Sequence, residues 1–478
     1  MSREELPLSE KKVPLRKRIL FATNAFPDQL TYQAFTIYVF TFYFAVVGLS
    51  ALQMWIAYVI WGLWNMFNDP LLGALSEKTK QKGKLGKRRF YLIISFIPLA
   101  LIMIFLFTVP ANFEFWYFLF IIFAFELFYT MFDLNTNAIF PEMFPTEKKR
   151  GDVNVFVKIF TLIAVILASL LPTAVISSLV PTLAKTAPGY AAQVALIRSQ
   201  YVTAGLIMAI IVVVMAIIFI FFGVKEKEET TADFEKRPGF FESLRITFSN
   251  KTFIKFTFGN MLIWYTFNIL LTSFPLYSVF VLGRDKGALI IGITLMIALV
   301  AAAVFMPIQS IIRKKIGTRK GIMLGMGIWI ITLFPLMLLS NNDLSRTLSL
   351  VIFGTIGFGL SASLFFVDLI HGDVIDQDAL KFGVKRAASY YGVNAFIHRI
   401  SIILGITTIA PLFAGTGWSE YTPIPNNPFL VQFALKSLMF IFPAIALIIA
   451  ILLFKFYDLH GEKLEKMRKE LKKHPELA

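Results

Sequence analysis

The side chains of this chain that are best suited to chemistry are acids, amides and a threonine inside long apolar stretches. Asn65, Asn68 and Asp69 form the first group, and their spacing places them on one arc of a helix. A charged side chain within a bilayer costs at least about 2.5–3.5 kcal/mol, so those that persist usually face a cavity. We interpret this group as functional. The alternative is that Asp69 only ends a helix at the cytoplasm and bonds the basic loop that follows.

A second group lies in the apolar sequence before residue 140. Glu126, Thr130, Asp133 and Asn137 follow one another at spacings of four, three and four residues, which places them on one helical face. Two acids on such a helix favour a binding face. Hydrogen bonding between helices is the alternative.

Basic residues and a polar insertion complete the candidate site. Lys158 lies about one turn inside apolar sequence and could extend to the interface. Arg399 lies deeper, so we expect a carboxylate or an anionic partner for it. Asp28 and Gln29 follow Pro27 near the start of the first apolar stretch.

Acids also gather around His371, and two of them are Asp373 and Asp376. Such a cluster could hold a divalent metal, but we expect the cytoplasmic end of a helix that meets basic loops, and no metal. The chain has four His and no Cys, and the HExxH, Walker, GxSxG and dinucleotide-binding motifs do not occur in it. The sequence therefore does not favour an enzyme.

The composition places most of the chain in lipid. Of its 478 residues, 57% are hydrophobic and 16% are charged, whereas a soluble domain has about 25% charged residues. Stretches of about 20 apolar residues are long enough to cross a bilayer. Twelve such stretches are predicted, near 20–47, 52–75, 90–110, 115–140, 154–180, 201–223, 253–282, 287–312, 320–340, 347–372, 388–414 and 429–457.

The charged segment 224–251 divides these spans into two sets of six. We predict a cytoplasmic arm at 1–18, a six-helix bundle at 19–223, a linker at 224–251, a second bundle at 252–457 and a cytoplasmic tail at 458–478. Short basic loops after the second and eighth spans are typical of a duplicated unit.

The net charge of +16 is spread over short clusters between the spans, which indicates membrane topology rather than nucleic-acid binding. The arm, the even-numbered connections and the tail carry most of these residues. Both termini are therefore expected in the cytoplasm, with the protein in the plasma membrane.

Four motifs occur in a familiar order. They are Trp64 to Gly73 followed by Lys84, Gly86 and Lys87; Tyr129 to Asp133; Asp373 to Asp376 with Lys381; and Tyr421-Thr422-Pro423. In these motifs the chain resembles, over nearly its full length, the glycoside–pentoside–hexuronide cation symporters, the melibiose-permease branch of the major facilitators. The resemblance implies an all-α membrane protein with the major-facilitator fold, twelve transmembrane helices in two six-helix bundles.

The resemblance also implies a cation site. In that family, two acids and an Asn on the second helix and a Thr on the fourth bind the coupling cation. Asp69, Asn68 and Thr130 match three of these positions. Asn65 stands where the other acid is expected, so one negative charge is lost and the coupling ion, H⁺ or Na⁺, stays open. Glu126 or Asp28 could restore the charge from nearby.

The substrate site implied by the resemblance differs more. Asp133 matches the fourth-helix acid, Lys158 stands where the family has Arg, and Arg399 stands where it has Lys. Asp28 and Gln29 replace the first-helix pair, and Asn137 replaces an aromatic residue. Glu126 is a further candidate on the same helix. These changes argue against galactosides and leave a sugar or a sugar acid.

We therefore predict a monomeric symporter without a cofactor, which carries a carbohydrate across the lipid bilayer by alternating access. Lys87 and Arg88 would pair with acids such as Asp373 and Asp376 to close the cytoplasmic side. The alternative on the same fold is a transporter of lysophospholipid or another amphiphile. A membrane receptor or scaffold is disfavoured because no stretch outside the spans is long enough for a sensory domain.

Overall fold

The computed structural model describes residues 13–79, 86–144, 146–225, 245, 247–284, 288–383, 386–471 and 473–474. Helices make up the regular structure in these residues, as expected in lipid, where backbone polar groups must be satisfied within their own segment. Most of the predicted arm and linker, the end of the tail, and Lys84 lie outside the described residues.

The chain divides into two compact units, Met1–Leu49 with Leu63–Glu235, and Ser50–Gly62 with Lys236–Ala478. The division near residue 235 falls inside the predicted linker. The segment Ser50–Gly62 groups with the second unit, which the predicted limits do not anticipate. The domain limits themselves stay a prediction.

Six of the helices lie wholly or partly in the first unit. They are α1 (Leu15–Ala22), α2 (Thr31–Thr41), α3 (Ala51–Lys78), α4 (Lys87–Phe105), α5 (Glu114–Met143) and α6 (Glu147–Val175). A further helix, α7 (Tyr190–Ile217), continues into a π-helix at Ile218–Gly223.

The first predicted span is interrupted rather than continuous. It runs over Leu15–Val47 and contains two π-helices, Phe26–Leu30 and Phe42–Val47, separated by α2. Pro27 lies in the first turn of the first π-helix, where its missing N–H group prevents a regular α-helical bond. Single π-helical turns are frequent at functional sites, and this one carries Asp28 and Gln29.

The helices of the second unit follow in order. They are α8 (Lys251–Phe280), α9 (Leu289–Leu333), α10 (Asp343–Phe382), α11 (Ala387–Gly415), α12 (Pro428–Met439), α13 (Ile441–Lys455) and α14 (Gly461–Leu471). A 3₁₀ turn at Phe334–Met337 follows α9.

The eighth and ninth predicted spans meet at one glycine. Gly317 has a φ of 82° within α9 and divides it into two arms. A side chain is disfavoured at this φ, which explains a glycine in the basic sequence around it. The connection expected over 313–319 is therefore helical apart from this residue.

Ten described segments are long and apolar enough to cross a membrane. One of them, Leu289–Met337, contains both arms of α9, and α3 covers the second predicted span outside these ten. Counting the arms separately and adding α3 gives twelve. By length and hydropathy alone the number is ten, so twelve crossings stay a prediction.

Candidate functional site

A hydroxyl group between two carboxylates connects α3 and α5 in the first unit. Thr130 Oγ1 lies 3.1 Å from Asp69 Oδ1 and 3.2 Å from Glu126 Oε1. Asn68 Nδ2 donates to the backbone carbonyl of Glu126 at 3.3 Å. Glu126 and Thr130 lie one helical turn apart on α5, so both face Asp69 on α3. We call Asn65, Asn68, Asp69, Glu126 and Thr130 the acid cluster.

The chemistry of the acid cluster follows from the number of protons available. A threonine hydroxyl has one proton to donate, so it can serve only one of the two carboxylates at a time. The other close oxygen contact is favourable when that carboxyl is protonated or when a cation lies among the oxygens. The arrangement can therefore hold one proton or one monovalent cation.

Burial strengthens these interactions. Asn65, Asn68, Glu126 and Thr130 are buried and Asp69 is half-buried. Neither polar atom of the Asn65 side chain has a hydrogen-bond partner in the described part of the chain. A buried polar group without a partner is costly, and its position one turn from Asp69 suits a role in binding.

A second group surrounds Asp28 on the first π-helix. Asp28 Oδ1 accepts a hydrogen bond from the Tyr129 hydroxyl at 2.8 Å, and Oδ2 accepts from Gln29 Nε2 at 2.9 Å. The charge of Lys158 on α6 also attracts the Asp28 carboxylate. We call Asp28, Gln29, Tyr129 and Lys158 the tyrosine cluster.

Aromatic rings pack beside the tyrosine cluster. Tyr129 stacks on Tyr32 and Phe125, with ring centroids 5.1 Å and 5.6 Å apart, and Phe125 stacks on Phe35 at 4.5 Å. A wall of stacked rings beside a carboxylate and an ammonium group is suited to a ligand with both an apolar face and polar groups.

The remaining predicted substrate residues lie elsewhere. Asn137 Nδ2 donates to Asp133 Oδ1 at 2.9 Å, so these two residues form a pair one turn beyond the acid cluster. Arg399 belongs to the second unit and is described with that unit alone. Beside it, the ring of His398 packs 4.6 Å from that of Trp264.

The predicted cytoplasmic gate residues have contacts within their own units. Arg88 donates to Ser76 Oγ at 2.9 Å and lies 3.6 Å from Glu142 Oε1, and Lys87 is buried. Asp373 contacts Arg468, and Asp376, half-buried, lies on the same helix. The expected pairing of Lys87 or Arg88 with these acids stays a prediction.

Sequence reasoning missed several residues of these sites. Tyr129 belongs to a motif that carried the resemblance, yet its bond to Asp28 was not expected. In the second unit, Thr257 Oγ1 and Asn260 Nδ2 both donate to Asn394 Oδ1, at 2.9 Å and 3.2 Å. Amides inside apolar sequence are the signal that could have indicated the latter pair.

Residues 20–461 match the family described as MFS/sugar transport protein. Two relatives are similar over nearly the whole chain. The sodium-dependent lysophosphatidylcholine symporter 1 of Mus musculus is 23% identical over 98% of this chain and 91% of its own. The putative sulfoquinovose importer of Salmonella typhimurium is 24% identical over 95% of this chain and 91% of its own.

Solved structures show the same fold. The nucleoside transporter NupG aligns with a TM-score of 0.64 at 12% identity, over 92% of this chain and all of that one. The fucose:proton symporter FucP of E. coli aligns with a TM-score of 0.55 at 11% identity, over 93% of this chain and 98% of that one. The predicted fold class, an all-helical major-facilitator transporter, is confirmed.

Proposed function

Since the chain belongs to the MFS/sugar transport protein family, we propose that it is a cation-coupled symporter working by alternating access. The observation that carries this proposal is the Thr130 hydroxyl between Asp69 and Glu126. A site that binds one positive charge inside a transporter can couple the gradient of that ion to substrate uptake. The coupling ion is H⁺ or Na⁺.

Glu126 is the second acid of the proposed cation site. Asn65 lacks the charge expected at its position, and both Glu126 and Asp28 could have supplied it. Glu126 contacts the same hydroxyl as Asp69, whereas Asp28 bonds to Tyr129 and Gln29. These contacts support Glu126, and two carboxylates with amide and hydroxyl oxygens form a donor set for a hard cation.

We propose the glycoside–pentoside–hexuronide branch for this chain, because the motifs of the second and fourth helices carry the acid cluster. The substrate is proposed to be a sugar, a glycoside or a sugar acid. The tyrosine cluster would contact it in the first unit, with Asp133 and Asn137 on α5 and Arg399 in the second unit. The relative named as a putative sulfoquinovose importer supports a sugar.

An anionic sugar is favoured over a neutral one. Lys158 and Arg399 add two cations to the proposed substrate residues, and a guanidinium group can bind a carboxylate with two parallel hydrogen bonds. Carboxylates such as Asp28 and Asp133 accept hydrogen bonds from pairs of sugar hydroxyls. A uronate satisfies both kinds of group.

A second candidate is transport of a lysophospholipid or another amphiphile. Several relatives are named sodium-dependent lysophosphatidylcholine symporters. An apolar pocket in the second unit also favours this candidate, because no polar side chain other than the indole of Trp329 is among its described lining residues. It is lined by Phe267, Leu270, Leu295, Trp329, Phe353 and Leu360, among others.

The test uses the purified protein in liposomes. Glycosides, pentoses, uronates and lysophospholipids are added with and without Na⁺, while the external pH and the uptake of labelled substrate are followed. External alkalinisation on adding one sugar, independent of Na⁺, supports proton coupling. Uptake that requires Na⁺ and leaves the pH constant supports sodium coupling. Uptake of lysophospholipid with no response to any sugar contradicts the sugar assignment and supports the second candidate.

We place the transporter in the plasma membrane as a monomer with both termini in the cytoplasm. The clustering of basic residues in the arm, the even-numbered connections and the tail supports this orientation. Cysteines introduced into these regions of a chain that has none would be labelled from the cytoplasmic side only.

A further inference from the structure

The segment that leads to α14 is fixed to the second unit. Lys255 Nζ donates to the Phe456 carbonyl at 2.6 Å and to Asp458 Oδ2 at 2.7 Å. Its hydrogen bond holds the pKa of Asp458 below the usual value. Tyr457 and Leu459 are buried between these contacts. The start of α14 is therefore anchored close to the ends of α8 and α13.

The end of α14 is attached to α10 by one ion pair. Arg468 Nη2 and Nε lie 2.7 Å and 3.2 Å from Asp373 Oδ1. Met467, the preceding residue, is buried. The Asp373 side chain is 9% exposed and that of Arg468 is 48% exposed. Water therefore reaches the guanidinium group, and an ion pair of this kind is weak enough to open and close.

Asp373 has a second cation available when this pair opens. The charge of Arg313, at the end of the first arm of α9, also acts on Asp373, and the like charge of Asp376 opposes it. A buried carboxylate left without a cation is costly, so a second cation makes an open state accessible. Because the anchor at Lys255 keeps α14 close, the helix can bind again after each opening.

We propose that α14 is a reversible latch on α10, in which Arg468 is a positioning residue that holds Asp373 and limits the rate of transport. Opening the latch frees the cytoplasmic end of α10 to move, with Arg313 compensating Asp373. The inference rests on the proposed function, since the rate it concerns is that of transport.

The first test detects the latch without any substrate. The chain has no cysteine, so Met467→Cys provides a single thiol at a buried position of α14. Adding Arg468→Gln should raise the rate of thiol labelling about two- to fivefold, the range expected for one partly exposed ion pair. Adding Lys469→Gln, an exposed neighbour, should leave the rate unchanged. Equal rates with and without Arg468→Gln would overturn the latch.

Hydrogen exchange provides the same comparison with Met467 retained. Amides of residues 461–471 should exchange faster in Arg468→Gln than in the unmodified chain, and Asp373→Asn should have a similar effect. Unchanged exchange in both variants would again overturn the proposal.

The second test concerns transport. Arg468→Gln should raise the maximal uptake rate about two- to fivefold with little change in the substrate concentration at half-saturation. A purely structural role predicts lower uptake and a lower melting temperature instead. Faster labelling with unchanged or lower uptake would overturn the rate-limiting role. If no substrate is transported by any variant, the proposed function fails, while the labelling and exchange experiments still decide the latch.

Discussion

The acid cluster and the tyrosine cluster lie on the two sides of α5 and differ in chemistry. In the acid cluster, a buried hydroxyl lies between two carboxylates. In the tyrosine cluster, a half-buried carboxylate meets a phenol, an amide and an ammonium charge beside stacked rings. The first arrangement selects for positive charge, while the second can bind a larger ligand with several functional groups. The difference indicates an ion site and a substrate site.

The two clusters are connected through neighbouring residues of α5. Tyr129 faces Asp28 while Thr130 faces Asp69, and Phe125 packs in the ring stack while Glu126 bonds to Thr130. A substrate that moves Tyr129 must therefore also affect the residue that holds the cation. Coupling of this kind is reciprocal, so the ion should raise the affinity for substrate by the same factor as substrate raises that for the ion.

The largest effect is expected from Asp69→Asn. Removal of this charge should abolish uphill accumulation of substrate, because the cation site loses one of its two acids at the point where α3 meets α5. Accumulation in liposomes with an imposed ion gradient measures the effect, and the melting temperature verifies that the protein is folded. Unimpaired accumulation would contradict the role of Asp69.

A smaller effect, with a built-in rescue, is expected from Glu126→Gln. Affinity for the coupling cation should fall about tenfold or more, because oxygen-ligand sites are tuned by the number of charged ligands. The double variant Asn65→Asp with Glu126→Gln returns the acid to α3 and should recover most of the affinity.

Equilibrium binding of labelled Na⁺, together with a pH titration of transport, measures the affinity for both ions. Glu114→Gln, an acid at the other end of α5, is the matched control. Normal cation affinity in Glu126→Gln would show that the missing charge is restored elsewhere.

Tyr129→Phe should affect the substrate more than the ion. The variant keeps the stacked ring but loses the hydrogen bond to Asp28, and one bond to a charged group corresponds to about tenfold in affinity. The substrate concentration at half-saturation should therefore rise, with cation affinity in the absence of substrate unchanged. Tyr117→Phe, whose hydroxyl bonds the Phe105 carbonyl on the same unit, is the control. Equal losses for ion and substrate would merge the two clusters into one site.

Helical period predicted part of this arrangement. It placed Glu126 and Thr130 on one face of a helix, and apolar length located the helices. It could not give the distance from Glu126 to Asp69, because that depends on how two helices remote in sequence pack together. The choice between Glu126 and Asp28 as the second acid therefore required the structure.

Local irregularity was harder to predict. Pro27 indicated a break in the first span, but the π-helix that turns Asp28 toward Tyr129 depends on the packing of the surrounding helices. Similarly, a basic tail is compatible with many positions, and the contact of Arg468 with Asp373 follows from the anchoring of the preceding residues. Sequence thus predicts which residues are costly in lipid, and tertiary packing decides which of them meet.

The smallest effect is expected at Lys158, whose exposed ammonium group attracts Asp28 without a described hydrogen bond to it. Lys158→Arg should keep substrate affinity within about threefold, because charge matters more than geometry at a solvated site. Lys158→Gln should weaken a uronate more than the corresponding neutral glycoside, and the difference should shrink at high salt as the charges are screened. Competition of the two sugars for uptake measures this selectivity. Equal weakening of both would mean that Lys158 acts through Asp28 and the shape of the tyrosine cluster, and that the negative charge of the substrate is recognised elsewhere.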